Sequence, residues 1–134
     1  MWISRIPVPV EINASAHADD DFSKNKSIAE LTDWNIYSPV WAPVSLEDQW
    51  LKLQDKDPFD YAKVERKIPA SKELKVSFDL KAGQNNKGTL HIEFLDENGI
   101  ACSRMELTDD GIFRLKGGSR FANMMKYEAG RFIM

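Results

Sequence analysis

A second cysteine is missing from this 134-residue chain. Cys102 stands alone, so no intramolecular disulfide can brace the fold and nothing about the redox compartment follows from cross-links. Without His17 or His91 in a recognisable signature around it, Cys102 reads as an inert thiol in or beside a strand. The two histidines lack the one-turn spacing of a zinc pair. There is no P-loop, dinucleotide glycine motif or nucleophile elbow; Gly117-Gly118 reads as a hairpin turn. No apolar run approaches the roughly 20 residues that a helical membrane span needs. The first ten residues carry two prolines and an arginine and no long apolar stretch, so they do not read as a signal peptide. Clustered lysine and arginine are absent too. With a net charge of −3, the chain is not a sequence-independent nucleic-acid binder, which needs a basic face toward phosphates.

What is present is the composition of an ordinary packed protein, 43% hydrophobic and 29% charged. A chain of this length buries roughly two-thirds of the surface it exposes when unfolded, so it forms a core without a metal or a cross-link. The dominant pattern is alternation. Leu74 to Lys81 places Leu74, Val76, Phe78 and Leu80 against Lys75, Ser77, Asp79 and Lys81, which predicts a half-buried strand. Leu90, Ile92 and Phe94 alternate with His91 and Glu93 to predict the returning strand after the turn cluster Gly83 to Gly88. Trp50 to Gln54, Tyr61 to Ile68, the region of Met105 and Leu107, and Ile112 to Leu115 add further strands. Asp55-Lys56-Asp57-Pro58, Asp96 to Gly99 and Asp109-Asp110-Gly111 supply turns between them.

Trp34 and Ile36 open an extended stretch that continues through Val40, Ala42 and Val44 around Pro39 and Pro43. Ser23 to Asp33 reads as a loop with at most one helical turn. Ile6 to Ile12, with Pro7 and Pro9 removing ladder donors, is an edge or linker segment rather than a central strand. Tyr127 to Gly130 reads as a turn entering a strand that the sequence does not finish. Short strands separated by turns at intervals of about ten residues, with no long amphipathic helix, predict an all-β antiparallel sandwich or barrel. The domain reading is an extended linker or edge strand over 1–16 and a β-sandwich module over 17–134.

Two groups of residues carry candidate chemistry. Asp20 and Asp21, with Asp55 and Asp57, lie in two acidic loops; carboxylates from converging loops are what a structural calcium ion takes, while solvated turn residues are the plainer reading. Trp34, Tyr37, Trp41, Trp50, Phe59 and Tyr61 crowd one third of the chain. Aromatic rings either fill cores and interdomain seams or stack on the apolar faces of sugars. Trp34, Tyr37, Trp41 and Tyr61 are the candidate sugar-contacting set, with Trp41, between two prolines, the one expected to be exposed. Carboxylate pairs such as Asp79 with Glu93 lie in the polar register of alternating strands, where charges face water, and do not form a catalytic dyad on that reading.

The stretches Asp20-Asp21-Phe22, Trp34-Asn35-Ile36-Tyr37-Ser38-Pro39-Val40-Trp41-Ala42-Pro43-Val44 and Leu53-Gln54-Asp55-Lys56-Asp57-Pro58-Phe59-Asp60-Tyr61-Ala62 together resemble a known family. It is the concanavalin A-like, laminin-G-type β-sandwich module attached to bacterial proteins with a sialidase-type (BNR-repeat) β-propeller. Those proteins are linked to polysaccharide breakdown. Trp2 to Val10 looks like the strand or linker by which the propeller hands over to the sandwich. The resemblance implies a jelly roll, incomplete at the C-terminus, located in the periplasm or outside the cell. It implies a noncatalytic accessory role, contacting carbohydrate or bracing the adjacent propeller. Calcium, if carried over, would fall to the Asp20-Asp21 and Asp55-Asp57 loops. The propeller repeats and their catalytic residues are absent. A small glycoside-active enzyme using a carboxylate pair and a protein-interaction module remain the alternative readings.

Overall fold

The computed structural model describes residues 18–117 and 119–131. The expected linker over 1–16 and His17 lie outside the described residues. Among the described residues strand is the only extended regular structure: β1 (Trp34–Tyr37), β2 (Val44–Glu47), β3 (Trp50–Leu53), β4 (Lys63–Arg66), β5 (Leu90–Leu95), β6 (Ala101–Leu107), β7 (Ile112–Gly117) and β8 (Arg120–Lys126). A single 3₁₀ turn, Ile28–Glu30, is the one helical turn that the loop before Trp34 allowed. Every pairing among these eight strands is antiparallel. The all-β antiparallel class expected of a β-sandwich is therefore observed. The chain divides into two compact units, Met1–Pro69 and Ala70–Met134.

In the first unit β1 pairs with β4 and β2 pairs with β3. β2 and β3 form a hairpin closed by Glu47 opposite Trp50, with only Asp48 and Gln49 between. Both turn residues have positive φ, 50° and 67°, as a two-residue turn requires if its twist is to match that of the strands. The core of this unit is small: Leu31, Ala42 and Val44 are buried. Val44, 3% exposed, contributes about 2 kcal/mol by leaving water. The extended stretch expected through Val40 and Ala42 is instead a turn, closed by the Ala42 N–H donating to the Pro39 C=O at 3.1 Å. Proline at 39 and 43 removes two ladder donors there, so a ladder cannot continue.

The second unit holds a four-stranded meander, β5-β6-β7-β8. The Asp96 carboxylate accepts the N–H groups of Asn98 (2.9 Å) and Ile100 (2.8 Å), bending the chain between β5 and β6. The β6–β7 turn is tied more firmly. Thr108 N–H donates to the Ile112 C=O at 3.0 Å, Gly111 takes φ +76°, and buried Tyr127 donates its hydroxyl to the Thr108 C=O.

Two features depart from expectation in this unit. Leu74 to Leu80 is not a paired strand; it runs without a ladder until an isolated bridge at Lys81, and Leu74, Val76 and Phe78 are 51%, 46% and 47% exposed. Alternation specifies which side chains share a face, but a strand also needs a neighbour to take its backbone hydrogen bonds. Conversely, Arg120 to Lys126 lacks alternation and yet forms β8, because an edge strand exposed along its length needs only backbone pairing.

Candidate functional site

The site is built on the β1–β4 ribbon. Its register sets Asn35 opposite Glu65 and Tyr37 opposite Lys63, so these four side chains share one face. Trp34 opposite Arg66 and Ile36 opposite Val64 point to the other. Exposure follows the same division, with Asn35 and Tyr37 open and Trp34 and Ile36 half-buried. Two residues ahead of β4, Tyr61 brings its ring to 5.4 Å from that of Tyr37, tilted by 49°. Tyr37 and Tyr61 are 47% and 59% exposed and lie beside an open depression of about 300 Å³ that Asn35, Lys63 and Glu65 also line.

Local hydrogen bonds hold these groups. Tyr37 donates its hydroxyl to the Asp60 carboxylate (3.0 Å to Oδ1), and the Tyr61 N–H donates to the same oxygen at 2.9 Å. Asp60 thus ties both tyrosines to one carboxylate. The bond to Asp60 pushes the Tyr37 phenol above its ordinary value. Glu65 accepts from Lys63 at 2.5 Å and from Asn35 Nδ2 at 3.1 Å, and the Lys63 ammonium, followed by the Asn35 amide, holds its carboxyl below the usual range.

Chemically, this is a pair of exposed rings flanked by an amide, an ammonium and an ionised carboxylate. Such rings present an apolar surface, and the groups beside them are hydrogen-bond donors and acceptors. A general acid for glycoside cleavage needs a carboxyl kept protonated by a raised pKa, and Glu65 is shifted the other way.

The structure brings together two of the four aromatic candidates. Trp34 packs against Phe22 with centroids 5.9 Å apart, on the opposite ribbon face. Trp41, 67% exposed, sits in the turn before β2, where its C=O accepts the Lys56 N–H at 2.9 Å. Asn35, Asp60, Lys63 and Glu65 were not singled out as sugar contacts in the sequence. Alternation at Tyr61 to Ile68 marked a strand with a polar face, but its pairing with a strand some thirty residues earlier is a tertiary fact.

Each of the four acidic candidates accepts a hydrogen bond, three of them from an N–H two residues on. Asp20 accepts from Arg66 Nε at 3.0 Å, Asp21 from the Ser23 N–H at 2.9 Å, Asp55 from the Asp57 N–H and Asp57 from the Phe59 N–H, both at 2.9 Å. Among the described residues no three His, Cys, Asp or Glu side chains converge as a metal site would. Cys102 is exposed. No helix among the described residues is long and apolar enough to cross a membrane.

An all-antiparallel module with an exposed tyrosine pair amid polar groups has the make-up of a carbohydrate-binding domain. Residues 34–133 match the family described as "Sialidase-like, CBM domain", and the chain belongs to that family. A solved structure titled "Sialidase" is similar over 96% of this chain, with 86% sequence identity and a TM-score of 0.89. The match spans only 12% of that structure's chain, so this sequence corresponds to one small part of it. No curated protein matches.

Proposed function

We propose that this module binds carbohydrate through the Tyr37–Tyr61 face of the β1–β4 ribbon and does no bond-breaking of its own. The observation that carries the reading is the exposed ring pair at 5.4 Å, with Asn35, Lys63 and Glu65 beside it. Membership of a sialidase-like carbohydrate-binding-module family supports it. In this reading the rings hold the apolar face of a pyranose and the polar groups fix its orientation. The module thereby keeps a sialidase-type catalytic domain of the same polypeptide near its polysaccharide or glycan, in the periplasm or outside the cell. A concanavalin A-like jelly roll and a bracing contact with a propeller belong to the same proposal, resting on the sequence resemblance.

The test is retention of the chain on immobilised polysaccharides and a glycan array, comparing the wild type with Tyr61→Ala and Trp41→Ala. Loss of about two- to tenfold in affinity in Tyr61→Ala is expected, since an aromatic ring contact is worth about 0.5–1.5 kcal/mol. Trp41→Ala should bind as the wild type does. Wild-type failure to bind any glycan, or an unchanged Tyr61→Ala, rejects this face as the sugar site. Recovery of the full-length protein only from cytoplasmic fractions would reject the proposed location.

A further inference from the structure

Around the two tyrosine rings the hydrogen-bonding capacity left for a ligand is mostly that of acceptors. The Tyr37 hydroxyl has one proton and directs it to Asp60, 3.0 Å from Oδ1, so toward a ligand that oxygen can only accept. Glu65 receives Lys63 on Oε1 and Asn35 Nδ2 on Oε2, and each carboxylate oxygen keeps a lone pair for a further donor. Its lowered pKa keeps it charged throughout the neutral range.

Charge follows the same division. Among the described residues, Lys63 is the one cation lining the depression, and its ammonium lies 2.5 Å from the Glu65 carboxylate. Half-buried Asp60 adds a second negative charge beside Tyr37 and Tyr61. Lys67 acts on Glu65 from beyond the end of β4 and does not line the depression. Arg66 belongs to the opposite ribbon face, where Asp20 and Asp33 hold it. A sugar that carries a carboxylate brings a group that only accepts, and it meets acceptors of its own sign. An uncharged pyranose brings hydroxyls, each of which can donate. Juxtaposed like charges are a general means of rejecting a wrong ligand.

We propose that the Tyr37–Tyr61 face selects an uncharged, hydroxyl-bearing sugar and rejects sugars that carry a carboxylate, with the charges of Asp60 and Glu65 making the selection. The inference rests on the carbohydrate reading above and names the ligand class of that same face. Sugar hydroxyls donate to Glu65 and to the Tyr37 oxygen while the rings hold the apolar side of the pyranose.

Retention of the chain on matched pairs of glycans tests it: glucosides with glucuronosides, galactosides with galacturonosides, and homogalacturonan with its methyl ester. In every pair that retains the chain, the uncharged member is expected to bind at least about threefold more tightly. That ratio should narrow as sodium chloride rises from about 20 mM to about 1 M, because exposed charges are screened. Glu65→Gln and Asp60→Asn should each narrow it too. The ratio is read within one protein preparation, so a variant that is partly unfolded still reports it. Equal or tighter binding of the carboxylated member, with Tyr61→Ala still weakened, overturns the selection and leaves the sugar site standing. A preference that neither salt nor either substitution moves also overturns it. A chain retained by no member of any pair rejects the sugar site, and this inference with it.

Discussion

Tyr37 donates its hydroxyl to the Asp60 carboxylate, 3.0 Å from Oδ1 and 3.2 Å from Oδ2. Because the bond is made to the neutral phenol and the carboxylate charge opposes a phenolate, the Tyr37 phenol ionises above its ordinary 10.0. Replacing the charged acceptor by Asp60→Asn should bring that ionisation down toward 10.0, read by ultraviolet titration of the phenols against the wild type. No change on substitution would show that Asp60 does not hold Tyr37 in solution.

The β2–β3 turn asks two residues with side chains to adopt left-handed φ, Asp48 at 50° and Gln49 at 67°. Such a conformation costs an ordinary residue roughly 1–2 kcal/mol, and glycine offsets this with an extra unfolded-state entropy of about 0.5–1 kcal/mol. Gln49→Gly is therefore expected to stabilise the chain by about 0.5–1 kcal/mol. A higher urea midpoint at an unchanged m-value would show it.

At Gly111 the prediction has the opposite sign. A Cβ there would meet the Asn85 C=O oxygen at 3.5 Å and the Tyr127 C=O oxygen at 3.7 Å, ordinary contacts that exclude little. The φ of +76° supplies the strain, and with the same entropy offset Gly111→Ala should cost about 0.5–1 kcal/mol in urea unfolding.

Tyr127, 6% exposed, donates its hydroxyl to the Thr108 C=O and takes the Gly111 C=O with its own N–H at 2.9 Å. Tyr127→Phe removes the hydroxyl bond, for an expected loss of about 1 kcal/mol near neutral pH. Burial, followed by the charges of Asp109 and Asp110, raises the Tyr127 phenol. A folded-state value above the unfolded 10.0 means that this contribution is complete below pH 10.0 and lost as pH climbs through the folded value. The stability gap between wild type and Tyr127→Phe, measured by urea unfolding at rising pH, should therefore narrow above pH 10.0.

Much of the strand content was legible in the chain because alternation and turn chemistry are local. Trp50 to Leu53, Leu90 to Leu95 and Ile112 to Leu115 needed only their own residues and the Asp, Asn and Gly beside them. Leu74 to Leu80 shows the limit of that signal: its residues specify a face, yet pairing depends on a second segment that local sequence does not name. β8 shows the converse, since exposed Arg120 to Lys126 is a strand through the partner it has and not through its pattern.

At the candidate site, the sequence by itself determined that aromatic rings would be plentiful between Trp34 and Tyr61 and that the strand through Lys63 would have a polar face. Only the tertiary structure decided which of those rings meet. A strand separates neighbouring side chains onto opposite faces, so the β1–β4 register turns Trp34 toward Phe22 and leaves Tyr37 with Tyr61. A shift of one residue would have exchanged the two faces. Among the acidic residues only Asp20 was decided the same way, by Arg66 forty-six residues away; Asp21, Asp55 and Asp57 accept the N–H groups of Ser23, Asp57 and Phe59, two residues on, which is local turn chemistry.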